Sequence, residues 1–528
     1  MTAAQRITLL AAISGSAVVG VDATVVNVAL PSISDDLGGG LAGQQWVVNA
    51  YLLFLGSLIL VGGSLGDLFG EKRVFMLGVA GFGAVSLLCA LAPTIEVLVA
   101  GRALQGAFGA LLTPGSLAII VAAFPPDQRG AAIGSWTAWG GIAFVIGPLL
   151  GGWLVDTLDW RAIFAINVPL VLITLGLATR IEVGMTRRED AQVDAVGAAL
   201  CALGLAGPVL ALIEQPMRGW GDPLVVAAGL GGLVLLGVFV VYESRASHPM
   251  LDLRLFRRRN FTVGNLLTLC MYAGLGVMSF LLVLYLQQVA RWDALDAGFA
   301  TVPISVVMFL LSRRFGALAD RIGPRPLMGI GPLVAAAGLL WLSRLSSDPS
   351  YVTDLLPPLL VFSVGLSMTV APLTAAVLAD ADEGNAGIAS AVNNAIARVA
   401  ALLATAAIGA VVAAQFSSAL DDRLDGMRMD AQAAALVAAA KDRSLGTVDA
   451  PSLAPAERAR LQEATADASE SAFRLGLGIA AGLVALGGVM ALVGMRAQRE
   501  PCMAADCAGG QFAGAPLEAA REPAARAA

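Results

Sequence analysis

Fourteen stretches of about 20 mostly apolar residues follow one another along this 528-residue chain, near 7–29, 45–65, 74–92, 97–120, 131–155, 161–179, 194–213, 223–242, 261–288, 295–315, 326–345, 353–378, 387–415 and 473–495. A helix rising 1.5 Å per residue needs about 20 residues to cross the hydrocarbon layer of a bilayer. The pattern therefore predicts an all-α polytopic membrane protein with fourteen crossings. Composition agrees. The chain is 57% hydrophobic and 14% charged, against about 25% charged residues in a soluble domain. Such a chain has too little polar surface to cover itself, and lipid is its natural solvent. Its 60 glycines suit close helix packing there.

The formal net charge of −6 gives no footing for nucleic acid. The cysteines Cys89, Cys201, Cys270, Cys502 and Cys507 form no CxxC pair, and His248 is the only histidine. Neither a metal site nor a disulfide framework is expected, and His248 lies in a basic loop that suits no catalytic role. The first apolar stretch begins almost at Met1. A cleaved leader has a basic start and a short apolar core; here the only early cation is Arg6, and Asp22 and Asn27 interrupt the stretch. It reads as a retained helix.

Lys and Arg in short loops set orientation. With the N-terminus inside, cytoplasmic loops hold fifteen of them, and the short outer loops only Arg161, Arg218, Arg291 and Arg344. Both termini are expected in the cytoplasm. Residues 416–472 then form a charged, alanine-rich outer loop with helical segments, and 497–528 a disordered tail.

Two segments resemble each other. Gly63, Asp67, Gly70, Lys72 and Arg73 follow the second span; Gly316, Asp320, Arg321, Gly323 and Arg325 follow the tenth. If each opens the link between a second and a third helix, the chain is two six-helix halves, 1–180 and 261–496. Residues 181–260 are then a two-helix insert with its linker. Parallel halves of this kind are a known transporter plan.

Four motifs carry the chemistry. Asp22 sits inside the first span, in Val21-Asp22-Ala23-Thr24-Val25-Val26-Asn27-Val28-Ala29-Leu30-Pro31. A charge at mid-helix costs about 2.5–3.5 kcal/mol on insertion scales, so intramembrane acids are usually functional. The glycine–acid–cation loop is the second motif. The third is Arg102-Ala103-Leu104-Gln105-Gly106, then Pro114. Arg102 must meet an acid, water or carbonyls: it is either a partner for Asp22 or a tie to backbone. The fourth is Gly134 followed by Gly147-Pro148-Leu149-Leu150-Gly151-Gly152, where proline removes a backbone donor and glycines allow close approach.

Together these resemble the major facilitator superfamily, and within it the fourteen-helix drug:proton antiporter branch of the QacA and EmrB type, over roughly residues 7–415. The resemblance implies a major facilitator fold working by alternating access. It implies a proton-coupling role for Asp22 with Arg102, and a conformational switch at Gly63, Asp67, Gly70, Lys72, Arg73, Asp320 and Arg321. The antiporter motif would be Gly134, Gly147, Pro148, Gly151 and Gly152. Leu68 stands where the family usually has a cation, and Phe108 and Ala143 where glycines are usual. Asn27, Gln105, Asn393, Asn394 and Arg398 either line a central cavity or bond neighbouring helices. Trp136, Trp139, Tyr272 and Tyr285 either face a lipophilic cargo or pack.

The implied function is proton-driven efflux of a drug or natural product across a bacterial cytoplasmic membrane by a monomer. The proton gradient is the energy source, without cofactor or metal. The only acid in the tenth span is Asp296, at its outer end, so cargo is expected to be monovalent cationic, zwitterionic or neutral. Competing readings are a nutrient importer, a membrane acyltransferase and a non-transporting sensor; the helix-five motif opposes the first, and clustered interfacial acids or histidines for the second are missing from the sequence. No P-loop is present to support ATP drive.

Overall fold

The computed structural model describes residues 1–181, 194–247, 249–251, 253–379, 386–425, 431–443, 445–446 and 453–496. The predicted disordered tail, His248 and parts of the 416–472 region lie outside these, as do the side chains of Asp67 and Asp320. Helices account for nearly everything described, and no strand occurs among the described residues. In chain order they are α1 (Ala3–Leu37), α2 (Gly40–Phe69), α3 (Glu71–Ala90), α4 (Ile95–Ala123), α5 (Pro126–Thr157), the single turn α6 (Ala162–Ala165), α7 (Asn167–Thr179), α8 (Ala195–Arg218), α9 (Pro223–Glu243), α10 (Arg259–Gln288), α11 (Ala294–Ile322), α12 (Pro324–Leu342), α13 (Leu356–Ala379), α14 (Ala386–Leu424), α15 (Ala431–Arg443) and α16 (Pro455–Gly494). Thirteen spans among the described residues are long and apolar enough to cross a bilayer. The remaining long helix is α5, with 32 residues.

Local chemistry sets the starts of these helices. The Thr2 side chain accepts from Gln5 N at 3.2 Å while Gln5 returns a bond to Thr2 N, closing a capping box. Asp194 and Asp222 cap α8 and α9. Proline opens α5, α9, α12 and α16, where its missing N–H costs nothing. Between α2 and α3 the chain turns at Gly70 with φ 93°, and between α11 and α12 at Gly323 with φ 83°. Both conformations favour glycine, so the two copies of the repeat share a backbone turn as well as a pattern.

α1 packs against α4, α5 and α7, and α4 against α2 and α3. A second group joins α10 to α14 and α16, and α12 to α13 and α16. Two main seams connect the groups, α2 with α14 and α5 with α11, and α1 also touches α10 and α11. α8 and α9 pair with each other, α8 also touching α2 and α14. α9 turns Leu230, Leu233 and Val234 outward, the surface expected against lipid.

The 416–472 region is more helical than an outer loop suggests. α14 runs on to Leu424, and α16 starts at Pro455. Alanine-rich sequence supports helix through the charged stretches, and Phe416, Leu420, Leu461 and Ala468 are buried there. Arg423 pairs with Asp467 between the two extensions.

Candidate functional site at the centre of the bundle

Asp22 lies midway along α1 with no exposed surface, in the middle of five helices. Arg102 and Gln105 share one face of α4, three residues apart, so both reach it. Arg102 Nη1 donates to Asp22 Oδ2 at 2.6 Å and to Gln105 Oε1 at 2.8 Å. Its Nε donates to the Val47 carbonyl of α2 at 3.1 Å. Gln105 Nε2 donates to Asp22 Oδ1 at 3.3 Å and to Ser86 Oγ of α3 at 2.8 Å. Asn167 Nδ2, at the start of α7, donates to the same Asp22 oxygen at 2.9 Å. The Cys89 thiol donates to Gln105 Oε1 at 3.4 Å.

The carboxylate thus accepts three hydrogen bonds, one of them charge-assisted, and the guanidinium stacks on Tyr51, whose ring centroid is 4.3 Å from its central carbon. Arg102 is tied to both an acid and a backbone carbonyl, so the two alternatives posed by the sequence coexist. The network is neutral overall, and it contains a carboxylate whose protonation would cancel its partner's only ionic contact.

The glycine-rich motif of α5 serves close approach. A Cβ at Gly147 would collide with Thr24 Oγ1 of α1, and one at Gly151 would come within 2.6 Å of Val25 Cγ2. Gly152 meets the start of α11 at Ala294 and Leu295, and the Pro148 carbonyl faces Gly298. Gly134 lies in the same helix, nearer its start. Asp156, the next-to-last residue of α5, accepts from Ala294 N at 3.2 Å and Leu295 N at 2.8 Å. A carboxylate from α5 therefore caps α11. At the same end of the bundle, Gln287 donates to the Val28 carbonyl at 2.8 Å, and Gln45 to that of Thr405 at 3.1 Å.

In the loop motif, Lys72 Nζ donates to the carbonyls of Thr179 at 3.0 Å and Ile181 at 2.8 Å, a cation on the C-terminal end of α7. Arg325, at the matching position after Gly323, donates to Leu492 O near the end of α16 at 2.8 Å. Arg73 and Arg321 are exposed, and Gly63 lies beside Pro114.

The remaining candidates scatter. Gln105 is wholly inside the Asp22 network. Trp136 donates to Ser16 Oγ at 2.7 Å, joining α5 to α1, while Trp139 is exposed. Tyr285 stacks on Phe473. Asn393 donates to Asn265 at 3.0 Å and Thr268 at 2.7 Å on α10. Asn27 and Arg398 are half-buried, and Asn394 is exposed. Sequence reasoning assigns no role to Asn167, Ser86 or Asp156. Asn167 stands out only within the motif Ile166-Asn167-Val168-Pro169, Ser86 only as a polar residue in an apolar span, and Asp156 not at all.

A family model described as Major Facilitator Superfamily matches residues 12–405. The chain belongs to the major facilitator superfamily. Relatives of this transporter include the tetracenomycin C resistance and export protein of Streptomyces glaucescens, 32% identical over 79% of this chain and 77% of that one. The probable actinorhodin transporter of Streptomyces coelicolor is 34% identical over 80% and 76%. A puromycin resistance protein of Streptomyces alboniger is 36% identical over 74% and 78%. Among solved structures, an inward-facing bacterial homologue of the human lysosomal transporter Spinster superposes with TM-score 0.63 at 17% identity, covering 94% of this chain and all of that one. The xylose transporter XylE of E. coli gives 0.57 at 14%, covering 93% and 96%. These two show the fold of the superfamily.

Proposed function

We propose that this transporter exports a small lipophilic drug or natural product across a bacterial cytoplasmic membrane in exchange for protons. The observation that carries the reading is the buried Asp22–Arg102 pair with its neutral donors. A proton arriving on Asp22 breaks the pair and leaves Arg102 to Val47 O and Gln105; its departure restores the pair. That is a two-state element biased by one proton, the minimum that coupling needs. Export direction is supported by the relatives, several of which are named for resistance or export, and by the glycine-rich α5 wedged between α1 and α11.

The two halves, 1–180 and 261–496, move against each other, with 181–260 as the insert between them. The paired turns at Gly70 and Gly323 support this division. Both termini lie in the cytoplasm, as the distribution of loop cations favours. The end sealed by Asp156, Gln287 and Gln45 is then the outer one, and the state described is closed outside. Loop residues Lys72 and Arg325 steady helix ends within each half as the halves rock; Asp67 and Asp320 complete the switch. Cargo is neutral, zwitterionic or a monovalent cation, and one chain suffices.

Everted vesicles holding an acid interior give the test. Adding a panel of lipophilic compounds should collapse the pH gradient through wild type and not through Asp22→Asn. Equal collapse through both would sink the coupling assignment.

A further inference from the structure

Two arginines lie deep among the central helices, and they are treated differently. Arg102 has an acid and two carbonyl-type oxygens. Arg398, on α14, has no hydrogen bond or ion pair among the described residues, although it is half-buried and sits where α14 crosses the middle of α2: a Cβ at Gly56 would lie 3.3 Å from Arg398 Cβ. Its charge reaches the buried phenol of Tyr51 on α2 and the half-buried phenol of Tyr272 on α10. Asp22, the acid whose field also reaches Tyr51, is already committed to Arg102. Asn393, five residues before Arg398, spends its amide on Asn265 and Thr268.

A guanidinium stays protonated at any physiological pH, and an unpaired cation at membrane depth is costly and usually functional. A second polar group on the same α2–α14 seam is also unsatisfied. Asn49, two turns from Gly56 on the face of α2 that meets α14, has no exposed surface, and neither of its amide atoms has a partner among the described residues. With Asp22 and Arg102 cancelling, Arg398 is left without a compensating charge among the described residues.

We propose that Arg398 binds an ionised acid group on the cargo, a carboxylate or an acidic phenol or enol. This rests on the efflux reading and revises its cargo: of the monovalent cationic, zwitterionic and neutral classes it keeps the zwitterionic, and it adds anionic cargo. The planar fork of arginine suits a carboxylate through two parallel hydrogen bonds, and loss of one charge-assisted contact in a partly dry site costs about tenfold or more in affinity.

The test uses an aromatic xanthene dye with a free carboxylate, and its methyl ester. Binding to purified full-length protein is read by thermal shift, and efflux in everted vesicles. Wild type should bind the acid at least about tenfold more tightly than the ester. Arg398→Gln should lose that preference while keeping its affinity for the ester, and Arg398→Lys should retain part of it. Monodisperse elution of each variant guards against misfolding. Undiminished acid binding in Arg398→Gln, or a parallel fall for acid and ester, overturns the proposal. Acid-selective binding without efflux of either dye by wild type supports the Arg398 site and counts against the efflux reading alone.

Discussion

Removing one charge of the Asp22–Arg102 pair and removing both should have very different consequences. The two groups are 2% and 0% exposed and 2.6 Å apart. In Asp22→Asn the amide keeps the shape, and the bonds from Gln105 and Asn167 must rearrange around it, but Arg102 becomes a buried cation without an anion. Breaking a buried pair from one side costs about 3–5 kcal/mol. Arg102→Gln leaves Asp22 as an uncompensated acid still held by Gln105 and Asn167, with a comparable loss. The double variant replaces the ion pair with two amides and removes both uncompensated charges. Its loss should fall short of the sum of the singles by about 3 kcal/mol, at the upper end of couplings between contacting residues. The measurement is a double-mutant cycle on detergent-purified protein, with stability read from reversible denaturant titration of tryptophan fluorescence. Additive losses would refute the reasoning, because they would mean that each group is stabilised without the other.

Asp156→Ala should weaken the seal between α5 and α11 by about 1–2 kcal/mol, the usual loss for a helix cap; spin labels on the two helices should report a larger separated population, and an unchanged distance distribution would contradict it. Gly298→Leu should prevent the same seam from closing, since even a Cβ there collides with the Pro148 carbonyl; cysteines across the seam that cross-link as readily as without the substitution would show the contact to be dispensable. Lys72→Ala should cost about 1–2 kcal/mol and expose the end of α7 to hydrogen exchange, because two carbonyls lose a charged donor. Glu243→Gln should stabilise the α8–α9 pair, since Glu243 Oε1 and Asp194 Oδ2 are unpartnered acceptors packed together beside Gly197; a lower melting temperature than wild type would show that the carboxyl pair is favourable as it stands.

The spans were legible because the bilayer makes hydropathy and length decisive, and each long helix follows an apolar stretch named from sequence. Asp22 and Arg102 were legible for the same reason: charges within such stretches stand out. Their pairing rested on resemblance, since the separation of α1 and α4 in sequence says nothing about which faces meet. Asn167 and Ser86 were opaque because a neutral polar residue in an apolar helix has too many uses. The helical character of 455–466 is legible, but the reach of α14 past residue 415 and the continuity of α16 from Pro455 are not, because a hydropathy window closes at the first cluster of charges, whereas Phe416, Leu420, Leu461 and Ala468 stay buried beyond it. Lys72 is legible as a switch residue from its motif; only the fold reveals that the carbonyls it meets belong to a helix a hundred residues later.

The cap that Asp156 places on α11 has a kinetic meaning. Most helices keep their cap within the local chain, so it travels with them. Here the first amides of one helix are satisfied by a carboxylate that departs when the helices separate. Parting exposes those amides and that carboxylate at an end of the bundle where water can replace each lost bond as it breaks. The seal is therefore firm when shut and cheap to undo in the presence of water, so the barrier to opening is set by how readily water enters the seam.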